Sequence, residues 1–110
     1  MILSGVLMFS DDLNEIFELE ANAKEKRSDL INRVNKKLDG FRSKFGITSD
    51  IKINLFEDDK GKFIKLSFFT GRGFSINNHF MEELTRIMET DSYNQIFLST
   101  DKLEIDFFYE

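Results

Sequence analysis

The sequence predicts an α+β fold, in which a mostly antiparallel sheet carries two helices on one face in a two-layer arrangement. Three observations support it: paired short segments with alternating apolar residues, two longer segments with apolar residues at helical spacing, and short connections that favour hairpins. The predicted order is β-β-α-β-β-α-β-β. The 110 residues have the length of a single domain, and no linker or low-complexity segment divides residues 1–110.

The first strand pair is predicted within residues 5–20. An apolar segment at 5–9, turn-like residues at 10–14 and partial alternation at 15–20 favour a hairpin. The competing interpretation is a helix that starts at Asp11, with Ser10 as its N-cap.

The two helices are predicted from apolar faces. The first runs from about Lys24 to Phe45 and ends before Gly46, a typical C′ glycine. Its apolar residues follow at spacings of 1, 3, 4, 3 and 4: Leu30, Ile31, Val34, Leu38, Phe41 and Phe45. The second helix follows Ser75, and its core-facing residues are Ile76, Phe80, Leu84, Ile87 and Met88.

The second and third strand pairs alternate more regularly. The second joins residues 51–55 to residues 62–69 through a turn at 57–61, where Gly61 can adopt a positive φ. The third joins residues 93–99 to residues 102–109.

Charge is distributed unevenly along the chain, whose net charge is −5. Residues 24–44 hold eight basic and three acidic side chains, a net +5, which leaves seven basic and seventeen acidic ones, a net −10, elsewhere. Such separation can steer a charged partner. The plainer interpretation is a solvated basic helix face and a solvated acidic sheet face.

A basic stripe follows the first helix. Four cations fall within about 20° of one another on a helical wheel and extend over about 27 Å: Lys26, Arg33, Lys37 and Lys44. The stripe suits an acidic protein groove or a phosphate backbone. The acidic total and the lack of a nucleic-acid-binding signature argue against the second.

A glycine-rich loop precedes the second helix. Gly71 and Gly73 would let the backbone approach an anion, and Arg72 could clamp it. Because the motif is short, we favour a tight turn that delivers Ser75 or Asn77 as a helix cap.

Adjacent aromatic residues in strands point to opposite faces of a sheet. One member of Phe68-Phe69 and one of Phe107-Phe108 should therefore leave the core. We expect Phe69 or Phe108 to build a partner surface or a homodimer contact.

Several kinds of chemistry are excluded or unsupported. The chain has no cysteine, which excludes disulfides and thiolate metal sites. Its one histidine, His79, cannot be placed beside a nucleophile, so we expect no enzyme activity, no metal and no cofactor. No apolar run approaches 18 residues, so we expect a cytoplasmic protein without a membrane partner.

These observations predict a small, non-enzymatic macromolecule-binding protein that docks on another protein through a charge-polarised surface and blocks it. Inhibitors, immunity proteins and mobile-element proteins have this character, and a nucleic-acid enzyme is a natural target because its basic cleft attracts acidic surfaces. The alternative is a nucleic-acid or nucleotide-binding protein that uses the basic helix and the Gly71-Arg72-Gly73 loop. A homodimer through an edge strand, such as the C-terminal one, is a further expectation.

Overall fold

The computed structural model describes residues 8–18, 23–47, 49–69, 76–99 and 101–109. Their secondary-structure elements are α1 (Phe9–Glu18), α2 (Ala23–Lys44), β1 (Lys52–Asp58), β2 (Gly61–Phe69), α3 (Asn78–Met88), β3 (Tyr93–Leu98) and β4 (Lys102–Tyr109). All strand pairs are antiparallel, so the predicted α+β class with an antiparallel sheet is confirmed. No helix within these ranges is long and apolar enough to cross a membrane.

The predicted first hairpin is wrong where the structure describes it, because residues 9–18 form α1. The predicted order β-β-α-β-β-α-β-β therefore fails at this point. Phe9, Leu13 and Ile16 lie four and three residues apart, and the helix buries all three in the core. The competing interpretation had the right type of element, although the helix begins at Phe9 rather than Asp11. The remainder of the predicted hairpin, at 5–7 and 19–20, lies outside the described residues.

The other two strand pairs and both predicted helices are present, with ends that differ from the prediction by a few residues at most. Gly61, which follows the turn between β1 and β2, has a φ of 146°. The Asp58 carboxylate accepts hydrogen bonds from the backbone N–H groups of Lys60 and Gly61, at 2.8 and 3.3 Å, and so fixes this turn.

The strand order is β1-β2-β4-β3, which places the C-terminal strand β4 inside the sheet. The expectation that the C-terminal strand is an exposed edge is therefore wrong. Within the described residues the two edge strands are β1 and β3.

One face of the sheet shares a hydrophobic core with all three helices. Its central strands contribute Ile64, Leu66, Phe68, Leu103, Ile105, Phe107 and Tyr109, and α2 contributes Leu30, Val34, Leu38 and Phe41. Alternate strand residues point to the opposite side of the sheet, which we call the outer face. Its residues are Lys52, Asn54, Phe56, Asp58, Phe63, Lys65, Ser67, Phe69, Asn94, Phe97, Lys102, Glu104, Asp106 and Phe108.

Both ends of α3 are capped. The Asn77 side chain accepts a hydrogen bond from the Phe80 N–H at 2.9 Å, which confirms the cap predicted after the glycine-rich loop. Glu89 ends the helix with a φ of 65°, in the left-handed region. The last turn is also tied to the sheet, because the Tyr109 hydroxyl donates to the Met88 carbonyl at 2.5 Å.

Candidate binding surface

The four cations of the basic stripe lie on one side of α2, and each approaches a carboxylate from a neighbouring element. The pairs on α1 are Lys26 with Glu15 at 2.7 Å and Arg33 with Asp12 at 2.5 Å. The pairs at α3 are Lys37 with Glu89 at 2.8 Å and Lys44 with Glu83 at 3.5 Å. The stripe thus follows the seams along which α1 and α3 approach α2.

These contacts change what the stripe can do. A phosphate or an acidic partner would have to replace an intramolecular carboxylate at each of the four cations. Each cation of the stripe therefore already has a carboxylate of the same chain within 3.5 Å. The predicted role of the stripe in partner binding stays a prediction.

Among these carboxylates, Glu89 contacts residues of both α1 and α2. Its Oε1 accepts a hydrogen bond from the Phe9 N–H at 2.7 Å, and its Oε2 accepts one from Lys37 Nζ at 2.8 Å. Phe9 opens α1, where free N–H groups favour a negative charge. Glu89 thereby joins the end of α3 to the start of α1 and to the middle of α2.

The Gly71-Arg72-Gly73 loop lies outside the described residues, so its predicted role in anion binding stays a prediction.

Phe69 leaves the core, as expected for one member of each aromatic pair. Phe68 is fully buried, whereas Phe69 is 43% exposed on the outer face. The ammonium groups of Lys52 and Lys102 lie 5.9 and 6.0 Å from the centre of its ring. Phe69 therefore presents an accessible phenyl ring between two cations.

Phe108 also points to the outer face, but it is half-buried among other rings. Its ring centre lies 5.4 Å from that of Phe63, which in turn stacks on Phe56 at 4.8 Å. Phe108 is six residues from Lys102, the β4 partner of Phe69. The two predicted aromatic sites thus lie about 20 Å apart along the sheet, and they do not form one site.

A second exposed phenyl ring accompanies Phe69. Phe97 of β3 is 47% exposed and lies opposite Glu104 of β4. Phe69 lies opposite Lys102 of the same strand. One strand therefore separates the two rings, a spacing of about 10 Å across the sheet. Sequence reasoning missed Phe97, because its exposure depends on the strand order.

The middle of the outer face carries acidic groups close to lysines. Ser67 donates a hydrogen bond to Glu104 at 3.0 Å, and Lys102 Nζ lies 3.8 Å from the same carboxylate. Burial raises the pKa of Asp106 above its ordinary value; the Lys65 charge opposes this rise, while Glu104 reinforces it. The outer face therefore presents both signs of charge between its aromatic residues.

The described residues hold no group of three or more His, Asp or Glu side chains that could bind a metal ion. His79 is exposed on α3, with its ring centre 5.6 Å from that of Phe45. Its contact with a phenyl ring is that of a packed surface residue.

Comparison of the whole chain with models of known families, with curated proteins and with solved structures finds no match.

Proposed function

We propose that this chain is a small, non-enzymatic protein-binding domain of the cytoplasm that docks on another protein and blocks it. The docking surface is the end of the outer face that holds Phe69, Phe97, Lys52, Lys102 and Glu104. The observation that carries the proposal is the pair of exposed phenyl rings on one face of the sheet, 43% and 47% exposed. All three helices contribute residues to the core on the opposite face of the sheet.

Exposed aromatic rings on a rigid sheet suit protein recognition. Aromatic side chains supply large contact areas with few rotatable bonds, and they dominate the binding energy of many interfaces. Phe69 is held in place by the β2–β4 ladder, in which it lies opposite Lys102. Little conformational entropy is therefore lost when a partner covers this ring.

The charges of this surface favour a protein over a nucleic acid. Lys102 already lies 3.8 Å from Glu104, so the cations around Phe69 are accompanied by a carboxylate. The net charge of the chain is −5, which repels a polyanion at long range. An aromatic centre with a rim of both charge signs is typical of protein interfaces.

Inhibitors, immunity proteins and mobile-element proteins are the classes that dock on another protein in this way. The docking surface is the outer face of the sheet rather than the basic stripe of α2. The nucleic-acid alternative is weaker than the sequence suggested, because Lys26, Arg33, Lys37 and Lys44 all contact carboxylates.

Affinity capture tests this proposal. Wild-type chain and the double variant Phe69→Ala/Phe97→Ala are immobilised and exposed to a nuclease-treated lysate, and bound proteins are quantified by mass spectrometry. The matched control is Met8→Ala, which removes an equally exposed apolar side chain, 44% exposed, outside the sheet. We expect a protein that binds the wild type and Met8→Ala but loses at least about tenfold in affinity for the double variant.

Two results would contradict the proposal. One is equal capture of every bound protein by the wild type and the double variant. The other is binding that disappears with nuclease treatment and returns with added single-stranded nucleic acid, which would favour the nucleic-acid alternative.

A further inference from the structure

An exposed phenyl ring and a carboxylate lie side by side on the outer face. Phe97 of β3 is 47% exposed and lies directly opposite Glu104 of β4. Opposite residues on one face of an antiparallel pair have Cβ atoms about 4.5–5.5 Å apart, so one bound group can touch both side chains. A phenyl ring attracts a cation through its face, and a carboxylate attracts it by charge. Phe97 and Glu104 together therefore suit a cationic group.

The Glu104 carboxylate is held in place by its own strand and by β2. The Ser67 hydroxyl donates to Oε2 at 3.0 Å, and Lys102 Nζ lies 3.8 Å from the same oxygen. Among the described residues, both of these contacts use Oε2. Oε1 is therefore the oxygen that can accept a hydrogen bond from a partner.

Asp106 adds a second, independent observation. It follows Glu104 by two residues on the same face of β4, at a Cα separation of about 7 Å, and it is only 7% exposed. Its Oδ1 is buried, and no donor among the described residues reaches it. Buried acceptors in folded proteins are normally hydrogen-bonded, so this oxygen points to a donor that a ligand brings. Asn94, its neighbour on β3, is exposed and leaves room for an approach from that side.

The charges around Asp106 also favour a cation. Burial raises the pKa of Asp106, and the charge of Lys65 opposes this rise. The carboxylates of Glu104 and Asp58 reinforce it. A cation beside Asp106 would therefore offset both the burial of its charge and the repulsion from Glu104.

We propose that Phe97, Glu104 and Asp106 form a binding site for an arginine side chain of the protein partner. The guanidinium stacks on Phe97 and donates to Glu104 Oε1 and Asp106 Oδ1. This inference rests on the proposed docking function and names the chemistry of the partner. A guanidinium fits better than an ammonium group, because its planar fork stacks on a ring and can donate to two carboxylates at once. The net charge of −5 draws a basic partner surface toward this site.

A nuclear magnetic resonance titration of the free, isotope-labelled chain at low ionic strength tests the site without the partner. The probes are N-acetyl-arginine amide and N-acetyl-citrulline amide, which have nearly the same shape but differ in charge. We expect the arginine probe to bind with a dissociation constant of about 1–10 mM and to shift the amide signals of Phe97, Glu104 and Asp106. The citrulline probe should bind at least about fivefold more weakly.

Charge-removing variants locate the site. Glu104→Gln keeps an oxygen that accepts from Ser67, and Asp106→Asn keeps the shape of its side chain. Each should weaken binding of the arginine probe by about threefold or more. The matched control is Glu82→Gln, the same loss of charge at an exposed position on α3, which should leave the affinity unchanged.

Three results would overturn the inference: equal binding of the arginine and citrulline probes, tighter binding of N-acetyl-lysine amide than of the arginine probe, or equal affinities of Glu104→Gln and Glu82→Gln. Its failure is distinguishable from failure of the docking function. A captured protein that needs Phe69 and Phe97 but binds Glu104→Gln as tightly as Glu82→Gln would overturn the arginine site and leave docking standing. Specific binding of the arginine probe without any captured protein would support the site and overturn docking.

Discussion

The Lys37 ammonium group lies 2.8 Å from the Glu89 carboxylate and 4.8 Å from the centre of the Phe9 ring. Lys37 belongs to α2, Glu89 ends α3, and Phe9 opens α1, so this contact joins all three helices. The glutamate side chain is 15% exposed, which reduces the screening of its charge by water. Glu89 therefore has a structural role, although its sequence context is that of an ordinary helix end.

Glu89→Ala should lower the free energy of unfolding by about 2 kcal/mol, because it leaves the Phe9 N–H and Lys37 without their acceptor. Glu89→Gln should lower it by about half as much, since its amide oxygen can still accept from Phe9 N–H. Urea denaturation measures both, with the exposed Glu82→Ala on α3 as the control. A loss for Glu89→Ala no larger than that of Glu82→Ala would contradict the structural role.

The α1–α2 seam is tested by a double-mutant cycle on Asp12 and Arg33. Their atoms Oδ2 and Nη2 are 2.5 Å apart, in a charge contact that is not aligned as a hydrogen bond. The side chains are only 17% and 29% exposed. We expect a coupling energy of about 1 kcal/mol between Asp12→Ala and Arg33→Ala in urea denaturation. A coupling energy near zero would mean that this ion pair does not stabilise the fold and that the basic stripe is available to bind a partner.

Two glycines should respond to alanine in opposite directions. At Gly61, with φ at 146°, an added Cβ would lie 2.4 Å from Cε1 of Phe108, so Gly61→Ala should destabilise the fold by about 2–3 kcal/mol. Gly40 lies inside α2 with no heavy atom within 4 Å of such a Cβ, so Gly40→Ala should stabilise by about 0.5–1 kcal/mol. Thermal unfolding of the two variants gives the comparison, and equal shifts in Tm would contradict the geometry of this turn.

Asp106 should make stability depend on pH. Burial, reinforced by Glu104 and opposed by Lys65, raises its folded-state pKa above the ordinary value of 3.8. At pH values between the ordinary pKa and the raised folded-state pKa, the folded state binds more protons than the unfolded state. The contribution of Asp106 to stability therefore falls as pH rises. Asp106→Asn removes that fall. We expect the stability of the variant relative to the wild type to increase from pH 3 to pH 7, as measured by urea denaturation, and a decrease would contradict this cause.

The parts of the fold that the sequence predicted are those with long, regular patterns. α2 repeats its apolar residues over most of its 22 residues, and both confirmed hairpins combine alternation with a recognisable turn. α1 was mistaken for a strand because only Phe9, Leu13 and Ile16 mark its buried face. The partial alternation at residues 15–20 overlaps the C-terminal end of this helix and favours a strand there.

The binding surface was less predictable because it depends on contacts between distant residues. The basic stripe was visible on a helical wheel, but its partners Glu15 and Glu89 lie 11 and 52 residues from the cations they contact. The exposure of Phe69 followed from its position next to Phe68 in the sequence, because neighbouring strand residues point to opposite faces and Phe68 is buried. The exposure of Phe97 required knowledge of the strand pairing, which places Phe97 on the outer face opposite Glu104 and which no local pattern contains.

Hydroxyl-radical footprinting of the chain with its captured partner would test the docking surface most directly. We predict that bound partner reduces labelling of Phe69 and Phe97, while Met8, an exposed residue outside the four described strands, is labelled as before. Unchanged labelling of both phenyl rings, together with reduced labelling along residues 24–44 of α2, would contradict docking through the outer face. It would instead support the basic stripe of α2 as the binding surface.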